Sequence, residues 1–345
     1  MTTVRSATEH QAWLAQHVEE VIEPDRAIVD PHHHFWWRPP DAYQLPELLA
    51  DLGSGHDVRA TVFVQNSAMY RADGPEPLRP VGETDYINGA AAVGASGLFG
   101  AVRPCAGIVG FADLRLGADV RAVLEAHRAV AGARFKGIRQ QAQWDAELGA
   151  LARVPPPRGL LGDPAFRAGF AELAPLGLRF DAWLYFHQLD ELADLADAFP
   201  NTTIVLDHLG APLGVGSYAT RRNEVRGLWS AAIGRLARRD NVCVKLGGLG
   251  MPSYGFGFDT LATPADSATL AAAWRPYVMR CIEAFGVARC MFESNFPVDR
   301  ATCSYRTLWN AFKRIAADAS ESDKAALFED NARRIYDLGS AGAEN

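Results

Sequence analysis

The chain is poor in several features that would decide its class at once. It has only five cysteines in 345 residues: Cys105, Cys243, Cys281, Cys290 and Cys303. They are scattered, odd in number and never spaced as CxxC, so neither a disulfide framework nor a cysteine zinc site is expected. Apolar runs are short and interrupted, which excludes a membrane span. The first twenty residues carry Glu9, His10, His17, Glu19 and Glu20 and lack the apolar stretch of a secretory signal. Positive charge is in deficit: Lys plus Arg is 34 against 41 for Asp plus Glu, a formal net charge of −7. That argues against nucleic acid or an anionic membrane as the partner. A cytoplasmic protein with reduced thiols is the expectation. No glycine-rich phosphate loop follows the first predicted strand, which disfavours a dinucleotide-binding sheet.

What remains is a packed globular composition, 48% hydrophobic and 22% charged. Short β-rich runs alternate with longer helical patterns. Strands are expected at Ala27–Asp30, Ala60–Gln65, Ile108–Phe111, Arg134–Ile138, Leu178–Trp183, Thr203–Asp207, Val242–Leu246 and Cys290–Glu293. Between them lie helical stretches such as Asp119–Ala131, Pro164–Leu173, Leu189–Ala198, Glu224–Ala237, Ala268–Phe285 and Tyr305–Ala317. Asp163-Pro164 and Ser304 have helix-start chemistry. Eight β/α units imply an α/β fold with a parallel sheet, and eight is the number that closes a (β/α)8 TIM barrel. The expected organisation is an N-terminal extension over residues 1–25 and one barrel over 26–340. Long rim loops are expected at Asn66–Gly97, Gln140–Gly162 and Gly247–Ala265, with Pro155-Pro156-Pro157 as a stiff turn.

Nine histidines stand out, and four fall at predicted strand ends. In Ile28-Val29-Asp30-Pro31-His32-His33-His34, strand alternation points His32 and His34 one way and His33 the other. Two imidazoles at a barrel mouth can bind a metal, polarise a carbonyl or move a proton. His187 follows the fifth strand and His208 the sixth. His10, His17, His56 and His127 are expected on the surface. The eighth strand runs Cys290-Met291-Phe292-Glu293-Ser294-Asn295-Phe296-Pro297-Val298-Asp299, placing Asn295 at the mouth and Asp299 further out. Glu293 shares the parity of Asn295, and as a buried carboxylate it needs a partner, for which Lys136 or Lys245 is proposed.

These motifs together, Asp30-x-His32-x-His34, a histidine after strand five, Leu-Asp-His208-Leu-Gly and Ser-Asn295-Phe-Pro, resemble the amidohydrolase superfamily. More narrowly they resemble its "amidohydrolase 2" branch, over about residues 26–338. That branch includes lactonases acting on pyrone dicarboxylates and sugar acids, and metal-dependent decarboxylases. The resemblance implies a hydrolase that opens a lactone or other cyclic ester by water attack. The catalytic set would be His32, His34, His187, His208 and Asp299. The branch usually carries an aspartate after strand eight. Asn295 stands there instead and cannot take a proton at pH 7. The resemblance therefore leaves two cases: one divalent metal, zinc in the first instance, on His32, His34 and His187, or a site that works without metal.

Arg139 and Arg103 are expected to bind a substrate carboxylate, and Lys136 and Lys245 either do the same or form buried ion pairs, making the ligand a small anion. Trp36, Tyr70 and Tyr254, with Phe35, Trp37, Trp144, Phe256 and Phe258, fall in rim loops and would line a pocket for a ring, with Asn295 at its edge. The glycine-rich run from Leu246 to Phe258 has the make-up of a lid. A metal-dependent decarboxylase and a barrel that binds ligand without turnover are the competing functions. The sequence leaves a homo-oligomer open.

Overall fold

The computed structural model describes residues 5–38, 41–148 and 156–339. Eight strands form one parallel sheet in sequential order: β1 (Ala27–His33), β2 (Asp57–Val64), β3 (Arg103–Gly110), β4 (Phe135–Arg139), β5 (Arg179–Ala182), β6 (Ile204–Leu206), β7 (Val242–Leu246) and β8 (Cys290–Phe292). The seam between β8 and β1 is stitched just beyond the last strand. His33 bridges Phe296, Asn295 N–H donates to His32 O at 2.9 Å, and His34 N–H donates to Phe296 O at 2.7 Å. The result is a (β/α)8 barrel, as the alternation of elements predicts.

The helices are α1 (Ala7–Leu14), α2 (Leu45–Leu52), α3 (Val81–Ala95), α4 (Val120–Ala131), α5 (Pro164–Phe170), α6 (Leu189–Ala198), α7 (Arg222–Leu236), α8 (Ser267–Phe285), α9 (Tyr305–Ile315), α10 (Glu321–Ala325) and α11 (Asn331–Tyr336). Asp163 and Ser304 cap α5 and α9 by accepting from Phe166 N–H and Thr307 N–H. The segment Asn66–Gly97 is not a plain loop, because α3 occupies its second half. Its sequence, Val-Gly-Glu-Thr-Asp-Tyr-Ile-Asn-Gly-Ala-Ala-Ala-Val-Gly-Ala, mixes helix formers with glycine and β-branched residues, so no clean apolar stripe announces it. A two-stranded hairpin (Trp36–Arg38 with Asp41–Tyr43) and α2 fill the connection from β1 to β2. Pro155 of the triple proline lies outside the described residues.

The main core lies between strands and helices. A second apolar cluster fills the barrel interior: Val29, Val62, Val64, Val109, Val205 and Met291, closed from below by Ala332, Ile335 and Tyr336 of α11. The extension is fixed across the rim. Ser6 and Glu9 form a capping box at the start of α1. Arg5 donates to the carbonyls of Asp259 and Leu261, and Trp13 Nε1 donates to Leu261 O at 3.0 Å. Among the described residues, no helix is long and apolar enough to cross a membrane.

Candidate active site

The sites of charge lie at the C-terminal ends of the strands, above the apolar cluster. His32 and His34 leave the end of β1 on the same side, their Nε2 atoms 3.2 Å apart. His33 points the other way, its Nε2 2.8 Å from Thr61 Oγ1. His34 Nδ1 donates to Val64 O at 2.7 Å, which leaves its Nε2 as an acceptor facing His32.

His32 is fully buried, with a cation beside each ring nitrogen. Nδ1 lies 2.9 Å from Glu293 Oε2 and 3.1 Å from Lys245 Nζ. Nε2 lies 3.2 Å from His34 Nε2 and 3.3 Å from Arg139 Nη1. With the proton on Nε2, His34 accepts it and Lys245 donates to Nδ1; Glu293 Oε2 lies beside Nδ1 without a hydrogen bond among the described residues. Burial, reinforced by Lys245, lowers the His32 pKa to about 4, so the ring is neutral at pH 7.

Four strand-end charges surround this pair. Lys245 of β7 donates to Asp181 Oδ2 at 2.6 Å and lies 3.1 Å from Asp207 Oδ1. Tyr336 of α11 donates to the same Asp181 oxygen from below at 2.7 Å. Burial raises Asp181 to about 6, with Lys245 pulling against it. Asp207 is buried too, but the fields of Lys245 and His32 outweigh burial and hold it well below the usual carboxylate range. Arg139 at the end of β4 lies 3.6 Å from Asp207 Oδ2, and its Nη2 also donates to Gln65 O. Gln65 Nε2 in turn donates to Arg139 O at 3.4 Å. Arg139 Nε and Gln65 Oε1 are buried without a partner among the described residues.

His208 completes the cluster. Its Nδ1 lies 2.6 Å from Glu293 Oε1, and its backbone N–H donates to the same oxygen at 3.1 Å. Burial alone would raise Glu293, yet His208 and His32 hold it below its ordinary value, so it accepts and Nδ1 carries the hydrogen. The ring packs against His32 (centroids 4.5 Å apart) and Trp183 (4.9 Å). His208 has φ 54°, a left-handed conformation that non-glycine residues rarely adopt and that tends to occur at functional sites. Two glycines after β7 make room for it. A Cβ on Gly248, itself at φ +70°, would lie 2.6 Å from His208 Cβ, and one on Gly247 would lie 2.3 Å from Glu293 Cγ. Tyr254 fixes the main chain by donating its hydroxyl to His208 O.

The structure gathers His32, His34, His208, Arg139 and Lys245 of the expected residues, with Tyr254 behind His208. Several others are elsewhere. His187 is exposed on the outer rim, its Nε2 2.9 Å from Trp144 O and 3.8 Å from Asp145 Oδ2, so the His32–His34–His187 trio is not assembled. The chain turns into a 3-10 helix at Phe186–Gln188, which carries His187 away from the mouth. Arg103 opens β3 and bonds the carbonyls of Ala101 and Val102, at the N-terminal end of the barrel. Lys136 is at that end too. β4 slips register between Phe135 and Gly137, and Lys136 Nζ donates to Asp337 O at 2.6 Å. Of the two lysines expected to pair with Glu293, Lys136 is remote and Lys245 lies only within its field; the charged neighbours in contact with it are His32 and His208.

Asn295 also departs from simple alternation, with φ 54°, and donates from Nδ2 to Asp299 Oδ1 at 2.7 Å. The other Asp299 oxygen accepts from Gly250 N–H at 2.8 Å, so both are engaged behind the cluster. Burial raises Asp299 to about 7. Trp36 belongs to the hairpin and donates to Asp41 Oδ2 at 3.1 Å. Tyr70 is half-buried in the β2–α3 connection, within the fields of Glu83 and Arg139. Two of the histidines expected on the surface are buried: His56, facing Lys313 Nζ at 2.9 Å, and His127, between Thr84 Oγ1 and Phe111 O. Sequence reasoning missed Asp181, Asp207, Gln65 and Tyr336. Asp207 carried a signal, since it directly precedes His208 and shares the inward parity of Val205 on β6.

Among the described residues, the group able to hold a metal ion is His32, Asp207 and His208, with ligand atoms within 4.8 Å of one another. Two imidazoles and a carboxylate form a donor set that suits a divalent ion. Among the described residues, neither Asp207 oxygen has a hydrogen-bond partner, although both face cations.

Comparison with known proteins agrees with this architecture. The uncharacterized protein y4mH of Sinorhizobium fredii is 35% identical over 326 residues, covering 90% of this chain and 99% of that protein. An L-fucono-1,5-lactonase of Burkholderia multivorans is 26% identical over 326 residues, with coverage of 90% and 96%. An amidohydrolase of Burkholderia multivorans, solved with bound Hepes and with bound zinc, superposes with TM-scores of 0.69 and 0.68 at 24% identity, covering 91% of this chain and 100% of that one. Residues 29–338 match the Amidohydrolase family, the second of that designation, so this chain belongs to the amidohydrolase 2 family.

Proposed function

We propose that the protein is a hydrolase that opens a small lactone at the His32–His34–His208 cluster. The observation carrying this reading is the His208–Glu293 pair at the barrel mouth. Glu293 holds His208 in the tautomer whose Nε2 is a free acceptor. That is the arrangement of an oriented general base. In this reading, a water beside Nε2 gives up a proton to His208 as its oxygen bonds to the lactone carbonyl carbon. Arg139 stabilises the charge that develops on the carbonyl oxygen. The ring C–O bond then breaks, and the protonated His208 returns its proton to the leaving alkoxide, giving a hydroxy acid. His34 and Gln65 face the substrate beside Arg139.

Of the expected anion-binding cations, Arg139 alone at this end keeps an N–H, its Nε, without a partner among the described residues, beside its contact with Asp207. Lys245 is held by Asp181 and Asp207, while Lys136 and Arg103 lie at the opposite end. A lactone with at most one carboxylate therefore fits better than a dicarboxylate. A divalent metal, when bound, would be held by His32, Asp207 and His208 and would supply Lewis-acid polarisation.

The test is proton release from a panel of sugar-acid and aromatic lactones with purified, tag-free protein. Turnover of at least one lactone, abolished in His208→Ala, is expected. Release of CO2 from aromatic carboxylates without lactone turnover would replace this reading with a decarboxylase.

A further inference from the structure

We propose that Lys245 and Arg139 are built-in cations occupying both faces of the His32–Asp207 ligand pair, and that they keep the affinity of this site for a divalent metal low. Lys245 Nζ is 3.1 Å from His32 Nδ1 and 3.1 Å from Asp207 Oδ1. Arg139 Nη1 is 3.3 Å from His32 Nε2 and 3.6 Å from Asp207 Oδ2. Each ring nitrogen of His32 and each carboxylate oxygen of Asp207 thus lies within 3.6 Å of a positive charge. Whichever His32 nitrogen or Asp207 oxygen a dication takes, it displaces one cation and sits near the other, in a buried site where like charges repel strongly.

The two cations are not free to withdraw. Lys245 is anchored by Asp181, which Tyr336 holds from the floor of the barrel. Arg139 is tied to Gln65 O by its second amino group. This arrangement also bears on the reaction. A metal adjacent to a carbonyl supplies fixed positive charge, and the guanidinium supplies the same from within the chain.

The inference deepens the proposed function by taking this cluster as the reaction centre, but its test does not depend on turnover. Tag-free wild type, Lys245→Met and Arg139→Gln are dialysed against chelator and titrated with zinc in competition with a chromophoric chelator. Cobalt absorption spectra report whether bound metal has protein ligands. Thermal unfolding screens each variant for folding, and Arg139→Gln stands in should Lys245→Met fail. The expected result is zinc binding at least about tenfold tighter in a folded variant than in wild type, with a tetrahedral cobalt spectrum. Tight one-to-one binding by wild type, or no gain in either folded variant, overturns the proposal. Failure of every lactone substrate would refute the reaction and leave these affinities untouched.

Discussion

The two ends of the barrel interior use the same residue types for different purposes. At the C-terminal end, Lys245 and Arg139 interlock with Asp181, Asp207, Glu293 and two histidines in a buried layer. At the N-terminal end, Lys136 and Arg179 reach to the carbonyls of Asp337 and Ile335 and fasten the C-terminal segment beneath the strands. A strand lysine thus joins the buried ionic cluster or fastens the chain end depending on how far along its strand it sits. The barrel rule that catalysis gathers at the C-terminal ends explains the division.

The largest contrast should appear in turnover. His208→Ala and Glu293→Gln are expected to lower kcat by about 10²–10⁴-fold, while Lys136→Met leaves it unchanged. Comparable losses from all three would break the comparison. Stability should separate the two lysines next. Removing Lys245 strands Asp181 and Asp207 in the interior, and the expected loss is about 3–5 kcal/mol in urea unfolding. Lys136 faces the exposed Asp337, and Lys136→Met should cost less than about 1 kcal/mol. Equal midpoints for the two variants would contradict this.

The histidines sharpen the same point. His127 lies outside the barrel, stacked on Phe135 with centroids 4.9 Å apart, and burial depresses its pKa to about 4. A depressed histidine contributes stability above its unfolded pKa and loses it as pH falls toward the folded value. The stability margin of wild type over His127→Gln should therefore be constant above about pH 6.5 and shrink by about 1.4 kcal/mol per pH unit toward pH 4. A margin independent of pH from 7 to 4 would show that His127 is not held neutral. The smallest effect is expected at the rim, where His187→Ala should change kcat by less than about twofold. A large loss there would return His187 to the reaction centre.

Much of this was readable beforehand. The eight strands show as apolar β-branched runs, and parity separates His32 and His34 from His33. Parity fails where the backbone departs from an extended strand. The left-handed residues His208 and Asn295 and the slipped register at Lys136 each redirect a side chain, and no local composition marks them. The 3-10 turn at His187 had the same effect. The carboxylates were hard to place because their partners lie far away in sequence: Asp181 needs Lys245 and Tyr336, and Glu293 needs His208 and His32. Pairing at that range is a property of barrel closure and not of any segment.

The floor of the barrel also orders events during synthesis. Asp181 and Lys245 are translated well before Tyr336, and the apolar interior is sealed only by Ala332, Ile335 and Tyr336. A ribosome-bound chain holding all eight strands would still expose both the valine-lined interior and the buried ionic layer to water. The buried ionic cluster thus draws on strands from the first to the last of the barrel and is secured from below by Tyr336 of α11.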